Sequence, residues 1–221
     1  MNFQDKTILL ESKNLSHSFD NQNPLFNDIN ISVRESETVS IIGVSGSGKS
    51  TLLHILSGTI KPENGSVFHF NKEFWKQKQK ERELVRRNDI GLIFQFHYLF
   101  KGFSVRENLE VASLLSGEKL DFSILENFGI AHLLEKKVTQ LSGGEQQRVS
   151  IARVLTKKPK IIFADELTGN LDKQTANIVM KTLFDYVKTA KASLVLVTHD
   201  EDLASQCDHI FKLKDGNFYK K

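Results

Sequence analysis

The sequence predicts an α/β fold: one domain over 1–221, with a core of about 1–73 and 158–221 and a mostly helical insert of about 74–157. Three observations predict it. Apolar runs of buried-strand length alternate with helix-like stretches over most of the chain. A glycine-rich run, Gly43 to Thr51, lies between one such strand and one such helix. The middle of the chain loses this alternation and becomes charged, then helical.

Taken in order, Thr38–Ile42 is a short apolar strand and 49–57 the helix after it. Residues 65–70 and 90–94 read as further strands, and 160–164 and Ser193–Thr198 as strands buried on both faces. Lys173–Thr189 places Ala176, Val179, Leu183, Phe184 and Val187 at helical spacing, an amphipathic helix. Asp215 and Gly216 between two apolar segments predict a hairpin. In the insert, 74–87 is dense in Lys, Arg, Gln and Glu and reads as a solvated helix. The pattern over 104–134 is helical, with Ser104 and Glu107 spaced as a capping box.

Composition narrows the function classes. Charged residues make up 26% and the net charge is only +3, so nucleic acid is not called for as a partner. A single cysteine, Cys207, excludes an internal disulfide framework and fits a reducing compartment. No basic segment followed by an apolar core opens the sequence, and the longest apolar runs, such as Leu194 to Val197, are too short to span a bilayer. Work at a membrane would therefore go through a partner.

Gly43-Val44-Ser45-Gly46-Ser47-Gly48-Lys49-Ser50-Thr51 matches the phosphate-binding pattern G-x-x-x-x-G-K-S in the context that the pattern needs. Glycines let successive N–H groups turn inward as an anion nest. The following helix directs the positive end of its dipole at the phosphates. Lys49 reaches the β- and γ-phosphates, and the Ser50 hydroxyl is a Mg²⁺ ligand. Ile161 to Ala164 leads into Asp165 and Glu166. A parallel strand beside the first would deliver both carboxylates to the nucleotide, Asp165 for the metal and Glu166 as a base for the attacking water. The bland alternatives are a Gly/Ser surface loop and a solvated turn; neither explains the joint context.

A second anion-binding helix end is predicted at Leu141-Ser142-Gly143-Gly144-Glu145-Gln146-Gln147, where Ser142 and Glu145 again have capping-box spacing. One triphosphate does not need two such ends in one chain, so two subunits sharing each nucleotide is the economical reading. This stretch resembles the signature motif of the ATP-binding cassette (ABC) ATPases, and other landmarks follow in family order. Gln95 resembles the Q-loop glutamine that senses Mg²⁺ and the transport partner. Asp172, in Gly169-Asn170-Leu171-Asp172, resembles the D-loop aspartate, and His199 the switch histidine at the γ-phosphate. Phe19 stands where the family places an aromatic ring on adenine.

The resemblance implies a P-loop NTPase core of ABC type with an N-terminal antiparallel β subdomain and a helical insert. It implies ATP and Mg²⁺ as ligands, with Ser50, Gln95 and Asp165 at the metal and Glu166 and His199 catalytic. It also implies a second copy in an ATP-sandwich dimer, in which Ser142, Gly143 and Gly144 complete the partner's site. A separate ABC transmembrane subunit would place the chain on the cytoplasmic face of the inner membrane. Gln95 to Leu99 and Ala164 to Asp172 look most like the lipoprotein-releasing ATPases and their macrolide-export and cell-division relatives. Two positions depart from that pattern: Leu167 follows Glu166 and Phe100 follows Leu99, each where proline is usual. The rings at Phe96, Tyr98 and Phe100 have two readings, a docking patch for the membrane subunit or the core of the insert. An importer or other exporter ATPase, a DNA- or ribosome-acting ABC ATPase, and a low-turnover scaffold are the rival functions.

Overall fold

The computed structural model describes residues 6–18, 24–169 and 171–221. Two long strands, β1 (Ile8–Ser18) and β2 (Pro24–Arg34), precede β3 (Thr38–Ile42) and α1 (Lys49–Leu56). Then come β4 (Asn64–His69), β5 (Lys72–Glu73), α2 (Gln79–Asn88) and β6 (Ile90–Ile93). Helices α3 (Val105–Ser116), α4 (Phe122–Asn127) and α5 (Gly143–Thr156) follow. The chain closes with β7 (Ile161–Asp165), α6 (Lys173–Thr189), β8 (Ser193–Thr198), α7 (Glu201–Ala204) and the hairpin β9 (His209–Lys214) and β10 (Asn217–Lys220).

The strands form two sheets. One is antiparallel, ordered β2-β1-β4-β5, and the other is ordered β10-β9-β3-β8-β7-β6. In the second, β6, β7, β8, β3 and β9 run parallel and only β10 is antiparallel. Side chains alternate between its faces, and both faces are dry. Phe163, Val195 and Val197 pack with Leu52, Leu53 and Ile55 of α1, whereas Ile162, Leu194 and Leu196 pack with α5 and α6. This two-sided burial is why the central strands are apolar without a break. No helix among the described residues is long and apolar enough to cross a membrane.

The turn before β10 forms as expected: Asp215 and Gly216 both take positive φ, 50° and 74°, which suits a tight hairpin. The helical stretches differ in detail. Residues 104–134 are not one helix; α3 ends at Gly117, whose φ of 77° provides the left-handed stop, and α4 starts under an Asp121 cap. Nor is 74–87 solvated throughout. Phe74 is wholly buried in a one-turn 3-10 segment, Phe74–Lys76, with its ring 4.8 Å from His69. There, burial lowers His69 to about 4, so the neutral ring donates from Nε2 to the Leu56 carbonyl at 2.7 Å. Only α2 beyond it is exposed. Phe74→Ala is expected to destabilise the protein by about 3–5 kcal/mol. A urea-midpoint shift no larger than that of the exposed control Leu84→Ala would show that the ring is not a core anchor.

Candidate functional site

The register of the parallel sheet assembles the site. Ile42 pairs with Thr198, Asp165 with Val197, and Ile93 with Ala164, so β3, β8, β7 and β6 end at one level. The residues that follow those ends, the glycine-rich loop, His199, Glu166 and Gln95, therefore meet at the carboxyl edge of the sheet. They line a cavity of about 620 Å³ together with Ser45, Gly46, Gly48, Lys49, Ser50, Thr51 and Leu25.

The loop owes its shape to its glycines. Gly48 sits at φ 93°, immediately before α1, and a Cβ there would lie 2.6 Å from Leu25 Cγ. Residue 48 is thus barred from carrying a side chain both by its backbone and by its neighbour. No side chain caps α1, which leaves its first N–H groups to whatever fills the cavity. Lys49 is almost completely buried, and its Nζ donates to the Gly43 and Val44 carbonyls at 2.8 and 2.9 Å. Those bonds aim the ammonium back along the loop. Among the described residues it is the one lysine or arginine lining the cavity.

Ser50 Oγ donates to Asp165 Oδ1 at 3.1 Å, so a hydroxyl and a carboxylate from separate elements stand side by side. Burial holds the Asp165 carboxyl above the usual carboxylate range; the Ser50 hydrogen bond and nearby His54 and Lys49 oppose this, and the Glu166 charge adds to it. Two hard oxygens and surplus negative charge would suit a hard divalent cation such as Mg²⁺. Among the described residues no three carboxylate, histidine or cysteine groups cluster as a self-contained metal site. A carboxyl whose pKa is raised on folding takes stability away as pH rises from its unfolded value through the raised folded one. Asp165→Asn is therefore expected to raise the melting temperature of the nucleotide-free protein and to abolish the extra stabilisation that Mg²⁺ adds to ATP. An unchanged apo melting temperature with intact Mg²⁺ dependence would contradict it.

Glu166 lies one residue beyond β7 at φ 46°, a left-handed conformation that costs a non-glycine residue about 1–2 kcal/mol. The strain is held by two anchors: Glu166 N donates to the Val197 carbonyl at 2.9 Å, and the Leu167 side chain is buried in the core. Leucine, where proline is usual, thus sets a buried side chain in the turn. His199 Nδ1 lies 2.8 Å from Glu166 Oε2, while the rest of its ring is exposed. With the carboxylate accepting, Nδ1 is the donor.

Ser142 and Asp172 are not among the residues that line this cavity. Ser142 caps α5, accepting from Glu145 N, and the Glu145 carboxylate returns to Ser142 N and Oγ at 2.8 and 2.9 Å. Gly143 and Gly144 open the helix, and a Cβ on Gly143 would touch nothing. Asp172 caps α6 through Thr175. Phe19 lies outside the described residues. Two neighbours of the cavity were missed by sequence reasoning. Leu25 comes from β2, which carries no motif, and His54 is recognisable only as the residue one turn after Ser50 on α1.

The family model for ABC transporters matches residues 26–169. A lipoprotein-releasing system ATP-binding protein LolD of Rickettsia bellii is 42% identical over 94% of this chain and 96% of its own. Its namesake in Xanthomonas campestris is 40% identical over 87% and 83%. Among solved structures, the dimeric bacterial ABC transporter cassette MJ0796 superposes with a TM-score of 0.85 at 32% identity, covering 96% of this chain and 98% of that one. The same cassette in a post-hydrolysis state bound to ADP and Pi gives 0.86.

Proposed function

Because the chain belongs to the ABC transporter family and is an ATP-hydrolysing cassette of it, we propose that it powers a separate membrane complex that releases lipoproteins from the inner membrane. One observation carries the hydrolytic reading: a carboxylate at the end of β7, held by His199, lines the same cavity as the phosphate loop. The cargo reading is supported by the likeness to the lipoprotein-releasing ATP-binding proteins over nearly the full length of both chains.

In this reading Gly43 to Thr51 wrap the triphosphate with backbone N–H groups, and Lys49 neutralises its β- and γ-oxygens. Ser50, Asp165 and Gln95 hold Mg²⁺, which when bound offsets charge on the phosphates. Glu166 accepts the proton of the attacking water through the oxygen that His199 leaves open, and His199 keeps the carboxylate in place. Phe19 stacks on adenine. Ser142, Gly143 and Gly144 of a second copy close over the γ-phosphate, and Asp172 borders that interface. The dimeric state of the MJ0796 cassette supports the shared site, as does a cavity lining that does not include Ser142, Gly143 or Gly144 of the same chain. Losing the γ-phosphate removes the bridge between the halves and lets them part.

The test is reconstitution. The chain would be assayed alone and with its membrane subunits in liposomes carrying a lipid-modified protein. ATP-dependent transfer of that protein to a soluble acceptor is the expected result. Stimulation by a macrolide or peptide without such transfer would favour the exporter reading, which the Phe100 departure keeps in view.

A further inference from the structure

The charge of the chain is unevenly placed. From Lys76 to Asn88 stand six cations, Lys76, Lys78, Lys80, Arg82, Arg86 and Arg87, against two acids, Glu81 and Glu83. That surplus, six minus two, exceeds the +3 of the whole chain, so the remainder is slightly acidic. The carboxylates of this region are all engaged locally. Glu73 pairs with Lys76 and accepts from Ser66, Glu81 accepts from the Lys78 N–H at 2.9 Å, and Glu83 accepts from Gln79 Nε2 at 2.8 Å. The cations are not engaged in this way. The side chains of Lys78, Lys80 and Arg82 make no hydrogen bond or ion pair among the described residues. Arg82 instead lies over the Trp75 ring, 4.9 Å from its centroid. Its Nε is buried without an acceptor, and so are Trp75 Nε1 and Gln77 Nε2. All three are donors, and a buried donor without an acceptor is costly. The residues that carry them are only half-buried, so this corner is open to a ligand. Anionic oxygens would meet the need. A guanidinium stacked on an indole is already held flat, so its fork is oriented before a phosphate arrives.

We propose that this face binds the phosphate headgroups of anionic lipids, with Arg82 as the oriented phosphate ligand, Trp75 and Gln77 as neutral donors beside it, and Lys78, Lys80 and Arg87 as flanking charge. A charged surface fits better than a single ion. Lys78, Lys80 and Arg87 are exposed, and from first to last they span about 13 Å of helix, longer than one phosphate. Leu84, 41% exposed, stands one turn after Lys80 on the outer side of α2, a side chain that headgroups and acyl chains can cover. Clustered Lys and Arg beside a bilayer are drawn to its anionic leaflet. The membrane-complex reading above enters only as the reason that the phosphate would be a lipid's, since it keeps the chain within reach of a bilayer.

The experiment uses the full chain and vesicles of phosphatidylglycerol mixed with phosphatidylcholine, against phosphatidylcholine alone. Sedimentation should show about tenfold tighter binding to the anionic vesicles, an advantage that shrinks with added salt. Trp75 is the only tryptophan of the chain, so its emission should shift with the anionic vesicles and not with the neutral ones. Arg82→Gln should weaken the binding about fivefold. Arg82→Lys keeps the charge but not the fork, and should lose nearly as much. Lys78→Gln/Lys80→Gln, at two exposed positions, should also weaken it and serves if the Arg82 variants do not fold. Basal ATPase and melting temperature of each variant check folding. Equal binding to both vesicles, or an anionic preference that survives Arg82→Gln and the double variant, would overturn the proposal. Full binding by Arg82→Lys would reduce the site to diffuse charge and overturn it as well. So would saturable binding of inorganic phosphate, or of an RNA oligonucleotide, without vesicle binding. Anionic-vesicle binding with no ATPase response to any membrane subunit would sink the membrane-complex reading while leaving the lipid contact standing.

Discussion

Glu166→Gln is expected to reduce ATP turnover by about 10²–10⁴-fold, the usual contribution of a positioned general base, while ATP still binds. The substitution isolates the base from everything else at the turn. Glutamine has the same shape, so the left-handed φ of 46° and the Val197 contact persist. Its amide oxygen still accepts from His199 Nδ1. What is lost is the ability to take a proton from water. With chemistry blocked and the phosphate loop intact, the two halves stay closed, so Mg·ATP should double the mass seen by light scattering. ADP should not. Wild-type turnover in this variant would remove Glu166 from the reaction. A monomer in Mg·ATP would separate binding from closure and contradict the proposed bridge.

Much of this site is legible in the sequence because its chemistry is concentrated where strands end. The sequence reading placed Thr38–Ile42, its helix and the acidic end of 160–164 correctly because each is an apolar run followed at once by a polar break. Parallel pairing then aligned the breaks, bringing Asp165 opposite Val197 and Ile42 opposite Thr198. The cap at Ser142 was likewise a local signal, readable from Glu145 three residues on. What escaped were features that depend on distant partners. β1 and β2 are the longest strands, yet they carry several register shifts and positive φ at Asn14 and Asp28, which break the alternation that announces a strand. Leu25 therefore reached the cavity unannounced. Phe74 looked like one more residue of a charged helix, because nothing local reveals that Gly58 and His69 make a slot for its ring.

The rings after Gln95 show the same limit from the other side. Composition left them divided between a docking patch and a core. The structure exposes Phe96, Tyr98 and Phe100 and turns only Leu99 towards the core. Exposure of several aromatic side chains in one segment is unfavourable in isolation and points to a contact surface.

The strongest test of the shared nucleotide site is complementation between two inactive chains. Lys49→Ala removes the buried ammonium of the cavity, so its phosphate loop should fail, but its signature helix is untouched. Gly144→Asp leaves the phosphate loop intact and sets a carboxylate where the opposing γ-phosphate would sit. That chain should still fold, since a Cβ at Gly144 finds only ordinary contacts, 3.5 Å to Leu171 and 3.8 Å to Arg148. An acid in the first turn is also favourable to the helix itself. Each variant alone has no complete site. In a mixed dimer, the loop of the Gly144→Asp chain faces the signature of the Lys49→Ala chain, and one site of the two is whole. Random pairing of equal amounts makes about half the dimers mixed, so about a quarter of the wild-type ATPase should return if the sites fire independently. A site built within one chain predicts no recovery at any mixing ratio, because every chain then carries its own defect. Recovery that peaks at equal amounts and disappears on dilution below the dimer's dissociation would place the second half of the site on the partner copy.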